Sequence, residues 1–247
     1  MQCVADLSGK VVLVTGGAKR LGKAMCLSLA RSGAQIAFTY LASVEEARKT
    51  LQEIEQVGAK CVAVSCDVRD VDSIRRALQS VLKELGKLDV LVNNAGVYET
   101  TAFADLTNEQ WDNTFAVNVR GPFLMSRACA PALRQTQGRI INIGSLGGEK
   151  PWATHAHYCS SKAALHMLTQ TMAKALAPEI AVNCVAPGMI AMPGAAADAM
   201  QDRFAEKTPM RRNGTPEDVV SAVKYFAAAP HFVTGQILTV DGGLGLH

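Results

Sequence analysis

The cysteines and histidines of this chain form no cluster at zinc spacing. The seven cysteines, at positions 3, 26, 61, 66, 129, 159 and 184, form no Cys-x-x-Cys. No metal site is expected from them, and scattered unpaired thiols suit a reducing cytoplasm. A basic block is missing as well. Lys and Arg number 25 against 22 Asp and Glu, a formal charge of +3, so no nucleic-acid partner is expected. Long apolar runs are also absent. The least charged stretch, Ile180 to Ala197, is broken by Pro187, Gly188, Pro193 and Gly194, which argues against a membrane span. No apolar stretch follows a basic one near residue 1, so no signal peptide is expected. Repeats, low-complexity tracts and a linker are lacking too. The chain of 247 residues, 49 % apolar, therefore reads as a single domain, 1–247, with material for a sizeable core.

What is present alternates strand and helix. Val11–Thr15 is an almost continuous apolar run, as expected of a strand buried on both faces. Helix Leu21–Ser32, strand Gln35–Tyr40, a helix from the capping-box pattern Ser43-Val44-Glu45-Glu46 to about Val57, and strand Lys60–Ser65 follow. Next come helix Val71–Leu85, strand Asp89–Asn93, and a long helical region from Thr107-Asn108-Glu109-Gln110 towards Leu133. Strand Arg139–Gly144, helix Ala156–Ala177, strand Ile180–Val185, a helix opened by Thr215-Pro216-Glu217-Asp218 and strand Gln236–Val240 complete the order. Strands separated by single helices predict an α/β fold: a Rossmann-like, doubly wound, mostly parallel seven-stranded sheet with helices on both faces.

Two clusters carry chemistry. The turn Thr15-Gly16-Gly17-Ala18-Lys19-Arg20-Leu21-Gly22 follows the first strand, where such a sheet offers helix N–H groups to a pyrophosphate. Further on stand Ser145, Tyr158 and Lys162. Residues four apart share a helix face, so Lys162 is expected beside Tyr158, favouring the phenolate and lowering its pKa from about 10. Tyr158 then exchanges a proton with a carbonyl or alcohol oxygen that Ser145 holds. A serine hydrolase is a poor rival. A nucleophile elbow needs glycine two residues before the serine, and Ile143 stands there. His155 and His157 read as loop histidines at the pocket mouth, and Cys159 as packing.

These motifs resemble the short-chain dehydrogenase/reductase family of the single-domain type. The residues that carry the resemblance span the chain: Thr15-Gly16…Gly22, Cys66-Asp67-Val68, Asn93-Asn94-Ala95-Gly96, Asn118, Ser145, Tyr158…Lys162, Pro187-Gly188 and Phe232-Val233-Thr234-Gly235-Gln236…Asp241-Gly242-Gly243. The resemblance implies that Asp67 bonds the adenine with Val68 beside it, and that Asn94, Ala95 and Gly96 line the cofactor. It implies that Lys162 also grips the nicotinamide ribose, that Asn118 holds a relay water, and that Pro187, Gly188 and Ile190 border the nicotinamide. Arg20 replaces the family's middle glycine, as in the pteridine and dihydromonapterin reductase branch, whereas Ser145 stands where that branch carries Asp. Met192 replaces a frequent threonine.

The second strand ends in Phe38-Thr39-Tyr40-Leu41-Ala42-Ser43, with no carboxylate before Glu45. An acid there would repel a 2′-phosphate, whereas hydroxyls of Tyr40 and Ser43 and the cations Lys19 and Arg20 would hold it. NADP(H) is therefore the expected cofactor, with Gly16 and Leu21 at the turn. The expected activity is reduction of a carbonyl, in a small ketone or aldehyde or in an acyl-carrier-linked 3-oxoacyl thioester. The alternatives are a dihydropterin reductase and a non-catalytic NADP-binding sensor. Trp152 and the stretch Met189–Met210 are expected to shape the substrate pocket, the latter as a lid or a surface helix. A homotetramer is expected from the resemblance, from Ala164, Met167, Leu168 and Thr171 on the Tyr158 helix, and from the tail Leu244-Gly245-Leu246-His247.

Overall fold

Seven strands form one all-parallel sheet in the order β3-β2-β1-β4-β5-β6-β7. The computed structural model describes residues 6–192, 194 and 199–246. Of the expected pocket-shaping stretch, Pro193, Ala195, Ala196, Ala197 and Asp198 lie outside the described residues, as do the side chains of Ala199 and Met200 and, elsewhere, Cys3 and His247. The strands are β1 (Val11–Val14), β2 (Gln35–Tyr40), β3 (Cys61–Ser65), β4 (Val90–Asn93), β5 (Arg139–Ile143), β6 (Ala181–Pro187) and β7 (Ile237–Val240). The helices are α1 (Arg20–Arg31), α2 (Val44–Gln56), α3 (Val71–Leu85), α4 (Asn108–Phe115), α5 (Gly121–Gln135), α6 (Ala156–Leu176), α7 (Ala199–Lys207) and α8 (Pro216–Ala228).

The apolar runs become strands because both sheet faces are covered. On one face α1, α2 and α8 pack Met25, Leu29, Ile54, Val223 and Phe226 against Val12, Val14 and Ile36. On the other, α3, α5 and α6 bring Ile74, Val81, Met125, Leu133 and Met172 onto Val11, Leu13 and Leu91. Each large side chain so buried contributes roughly 1.5–3 kcal/mol. Asp89 anchors the opposite end of the sheet from the site. It accepts from the Val11 N–H at 2.9 Å and pairs with Lys10 and Lys87 at 3.1 and 3.0 Å.

Local signals decide most helix ends. The Asp70 side chain caps α3, and Gly86 closes it at φ +79°. Capping boxes form at Thr107–Gln110 and Thr215–Asp218. The box expected at Ser43–Glu46 does not. Ser43 stands at the start of α2 with ψ 63° and no capping hydrogen bond from its side chain, because this backbone lacks the extended ψ that aims a cap oxygen at the first turn. The long helix expected from Thr107 towards Leu133 is also interrupted. A π turn, Ala116–Arg120, separates α4 from α5, and its centre, Asn118, is drawn to Val97 and Ser161. Helix α7 was legible only as an undivided stretch.

The connections decide where a site forms. From β3 the chain crosses back past β1 to lay down β4, so neighbouring crossovers leave β1 and β4 on opposite faces. A crevice opens at the carboxyl ends of strands at such a reversal.

Candidate active site

The crevice begins at the turn after β1. The Thr15 hydroxyl accepts the Asn94 and Ala95 N–H groups, both at 3.0 Å, and the Asn94 amide donates to the Thr15 and Gly16 carbonyls at 2.9 and 3.1 Å. The ends of β1 and β4 are thus laced together. Gly16 is left-handed, at φ +67°, and a Cβ on Gly22 would collide with the Gly16 carbonyl oxygen. Arg20 is left-handed too, at φ +51°. An L side chain there costs roughly 1–2 kcal/mol, which explains why a glycine serves at this position in related turns. The exposed side chains of Lys19 and Arg20 border a cleft of about 560 Å³. Gly16 and Leu21 form its floor with Asn94, Ala95 and Gly96; Tyr40 and Ser43 close one side, and Asp67, Val68 and Arg69 the far end. The Asp67 carboxylate is gripped by Arg69 through three side-chain bonds of 3.0, 3.2 and 2.8 Å, which hold its pKa below the usual carboxylate value.

Leu21, Asn94, Gly96 and Val97 are shared with a second chamber of about 330 Å³. Ser145, Tyr158 and Lys162 meet there, below Pro187 and Gly188. Lys162 is buried, and its Nζ donates to the Ile143 carbonyl at 2.8 Å. It lies 5.7 Å from the Tyr158 ring centre. Burial lowers the lysine pKa to about 8. Burial also pushes the Tyr158 phenol up to about 12, against a hydrogen bond with Ser145 that lowers it. The expected lowering by Lys162 is therefore overturned in the chain alone. Desolvation of the phenolate outweighs a cation committed to a backbone carbonyl. Tyr158 at neutral pH is a protonated acid.

Asn118 is buried and lines neither chamber. Its Oδ1 accepts the Val97 N–H at 2.9 Å, and its Nδ2 donates to the Val97 carbonyl at 3.0 Å and to Ser161 Oγ at 3.1 Å. The side chain ties the chamber wall to α6. Ile190 lines neither chamber either, being bridged to Gly214. His155 lines neither chamber but packs behind the wall of the second: its ring stacks on Tyr98 at 4.8 Å and meets Trp152 edge-on at 5.6 Å. Both its nitrogens are engaged, by Thr100 and Thr154 at 3.0 Å each, so it is no free base. His157 is not at the mouth. It is fully buried with Ser161 and Leu165 on the inward row of α6.

The profile of the family described as enoyl-(acyl carrier protein) reductase matches residues 16–245. This chain belongs to the short-chain dehydrogenase/reductase family. An uncharacterized oxidoreductase of Methylorubrum extorquens is 35 % identical over 248 residues, covering 98 % of this chain and 100 % of the relative. A 3-oxoacyl-[acyl-carrier-protein] reductase of Synechocystis is 35 % identical, covering 96 % and 98 %. A dehydrogenase/reductase of Sinorhizobium meliloti superposes with a TM-score of 0.93 at 38 % identity, covering 98 % and 97 %. The short-chain dehydrogenase/reductase of Serratia marcescens gives 0.91 at 36 %, covering 97 % and 99 %.

For this member of the family, the sequence left several lining residues unforeseen, among them Val97, Tyr98 and Leu244. Tyr98, packed edge-on to Tyr158 at 4.9 Å, and Leu244 both line the second chamber. Each follows a glycine motif by one or two residues, at Gly96 and at Gly242-Gly243, and that position was the available signal. Trp152 lies parallel to Tyr158, with ring centres 6.0 Å apart, and Phe204 of α7 joins them.

Proposed function

We propose that this short-chain dehydrogenase/reductase reduces a carbonyl to an alcohol with NADPH, with Tyr158 as the proton donor. The supporting observation is the neutral phenol hydrogen-bonded to Ser145 at the end of a cleft that continues into the glycine turn. The residues fit a dinucleotide. Gly16 is left-handed, and Gly22 packs on the Gly16 carbonyl oxygen with no room for a Cβ, so the chain turns tightly into α1, whose N-terminal N–H groups suit a pyrophosphate. Asp67 and Val68 would hold the adenine end, Asn94, Ala95 and Gly96 the middle, and Lys162, Pro187 and Gly188 the nicotinamide end. When bound, the cofactor supplies the hydride. Ser145 Oγ and the Tyr158 hydroxyl would hold the substrate oxygen, and Tyr158 would give it a proton as the alcohol forms. Lys162, beside the phenol, would favour the phenolate left behind.

The chamber itself suggests the substrate's character. Among the described residues its only charged lining group is Lys162, and Tyr98, Trp152, Phe204 and Leu244 form its walls. That lining suits a small ketone or aldehyde, or the β-keto end of an acyl thioester. The dihydropterin alternative has only the Lys19-Arg20 turn in its favour. NADPH consumption with acetoacetyl thioester, a small diketone and a dihydropterin tests the reading. No consumption with any carbonyl would leave an NADP-binding sensor.

The 2′-phosphate preference is expected to reside in Lys19 and Arg20, with Tyr40 and Ser43 beside them. Charge-assisted bonds to phosphate contribute roughly 1.5–3 kcal/mol each before screening. Lys19→Ala with Arg20→Ala is therefore expected to weaken NADPH by at least about tenfold more than NADH. Equal losses by titration of the two cofactors would remove these residues from that role.

A homotetramer remains part of the proposal, supported by exposed apolar residues. Met167 on α6 is 62 % exposed, Phe232 99 % and Leu246 85 %, large apolar side chains that closed symmetric interfaces would cover. Light scattering at micromolar concentration is expected to give four times the 26.2 kDa chain mass. A mass near one chain would refute the assembly.

A further inference from the structure

We infer that His166 is a positioning residue for Ser145, gripping the end of β5 only while its imidazole is neutral, a role that rests on the reductase reading for its effect on turnover. His166 lies one turn after Lys162 on α6 and is buried. Its Nε2 accepts the Ser145 N–H at 3.4 Å. The residues Ile143, Gly144 and Ser145 are therefore held at three points. Lys162 takes the Ile143 carbonyl at 2.8 Å, the Val185 carbonyl of β6 takes the Gly144 N–H at 2.8 Å, and His166 takes the Ser145 N–H. Two of the three grips come from consecutive turns of the helix that carries Tyr158.

Two glycines make room for this ring. A Cβ on Gly144 would collide with His166 Nε2, and one on Gly148 would lie 2.7 Å from Cε1 and 2.9 Å from Nδ1. Neither glycine has a positive φ, so backbone freedom does not account for them. The imidazole does. A ring packed between two backbones, with one nitrogen on the N–H of the candidate serine, does more than fill space.

An accepting Nε2 requires the neutral ring with its proton on Nδ1. Protonation would set N–H against N–H and push Ser145 away from Tyr158. The charged and titratable groups facing the ring come from three directions. Lys162 on the same helix opposes a second positive charge, Glu149 beyond the turn favours one, and Cys184 of β6 packs over Gly144 as a thiol whose pKa burial pushes up to about 12. Burial is the largest influence and lowers the His166 pKa from its ordinary 6.5. The grip is thus intact at neutral pH and is released as pH falls below that value.

Nitrogen-15 NMR of the cofactor-free chain from pH 8 to pH 4.5 tests the contact directly. The expected result is a neutral His166 with its proton on Nδ1 at pH 7, and a Ser145 amide that titrates with it. In His166→Gln, whose amide oxygen can still accept, that titration disappears from Ser145. A Ser145 amide indifferent to His166 would overturn the inference, as would a proton on Nε2 at pH 7. Turnover with NADPH and a small diketone reads the consequence. His166→Leu is expected to lower kcat about fivefold to tenfold at pH 7.5 with little change in the KM for NADPH. His166→Gln is expected to restore most of that loss and to flatten the fall of kcat on the acid side. Unchanged kcat in the leucine variant, or an acid limb that persists in the glutamine variant, would refute the role. Should the leucine variant fail to fold, the glutamine profile and the amide titration still decide. A wild-type chain that consumes no NADPH with any carbonyl defeats the reductase reading and with it the kinetic role, while the amide titration separately decides the hydrogen bond.

Discussion

Replacing Tyr158 by Phe is expected to lower kcat by about two to four orders of magnitude while cofactor affinity stays near that of the native chain. The substitution removes one hydroxyl and almost no volume. The ring keeps its packing against Tyr98 and Trp152, so the chamber survives. What is lost is the acid whose proton burial has made hard to remove in water and which Ser145 aims. Stopped-flow or steady-state rates beside fluorescence titration of NADPH measure the two quantities separately. Native turnover in this variant would dismiss Tyr158 as the proton donor. The same phenol makes a second readout. Its absorbance in the cofactor-free chain should change with a midpoint near 12, a transition missing from Tyr158→Phe. Because that pKa is raised above the unfolded value of about 10, stability from this group is lost as pH climbs from about 10 to about 12.

Lys162→Met is expected to abolish nearly all turnover and yet leave the fold more stable at pH 7. Burial lowers the lysine pKa from 10.5 to about 8, so at neutral pH the folded chain carries a charge that it holds less well than water does. The cost is about 3 kcal/mol. The bond to the Ile143 carbonyl disappears in the variant, and leaving that acceptor unmade gives back about 1–2 kcal/mol. A net gain of about 1–2 kcal/mol raises Tm by a few degrees in a chain of this size. The gain has a defined pH dependence. The lysine's cost is present below pH 8 and fades as pH rises towards 10.5, because the folded chain gives up the proton first. Thermal melts at pH 7 and pH 10 check this. A variant less stable than the native chain at pH 7 would show that Lys162 is held by more favourable interactions than its burial admits.

The contrast between these two residues shows what was legible beforehand. Tyr158 and Lys162 could be placed on one helix face from their spacing alone, since helical periodicity is a local property. Their protonation states could not. The sign of the Tyr158 shift depends on how completely α6, β5 and the Tyr98–Trp152 pair exclude water, and on Lys162 turning to Ile143. Those partners lie far apart in the chain. Asn118 makes the same point. Its position in a matching motif was readable, but its side chain is spent on Val97 and Ser161, and the π turn that carries it there has no signal in the run from Thr107 to Leu133.

By itself the sequence determined the alternation of elements, the helix caps at Thr107 and Thr215, the glycine turn after β1 and the placing of Tyr158 and Lys162 on one helix face. Each depends on residues within a few positions of one another: apolar periodicity, an oxygen that meets the first turn, a glycine where a Cβ has no room. The tertiary structure decided which strand neighbours which, and so where the crevice opens. It decided the lining of the second chamber by Tyr98, Trp152, Phe204 and Leu244, the burial of His157, and the contact of His166 with the Ser145 N–H. These rest on close approach between segments separated by tens of residues, where desolvation and packing outweigh any local preference.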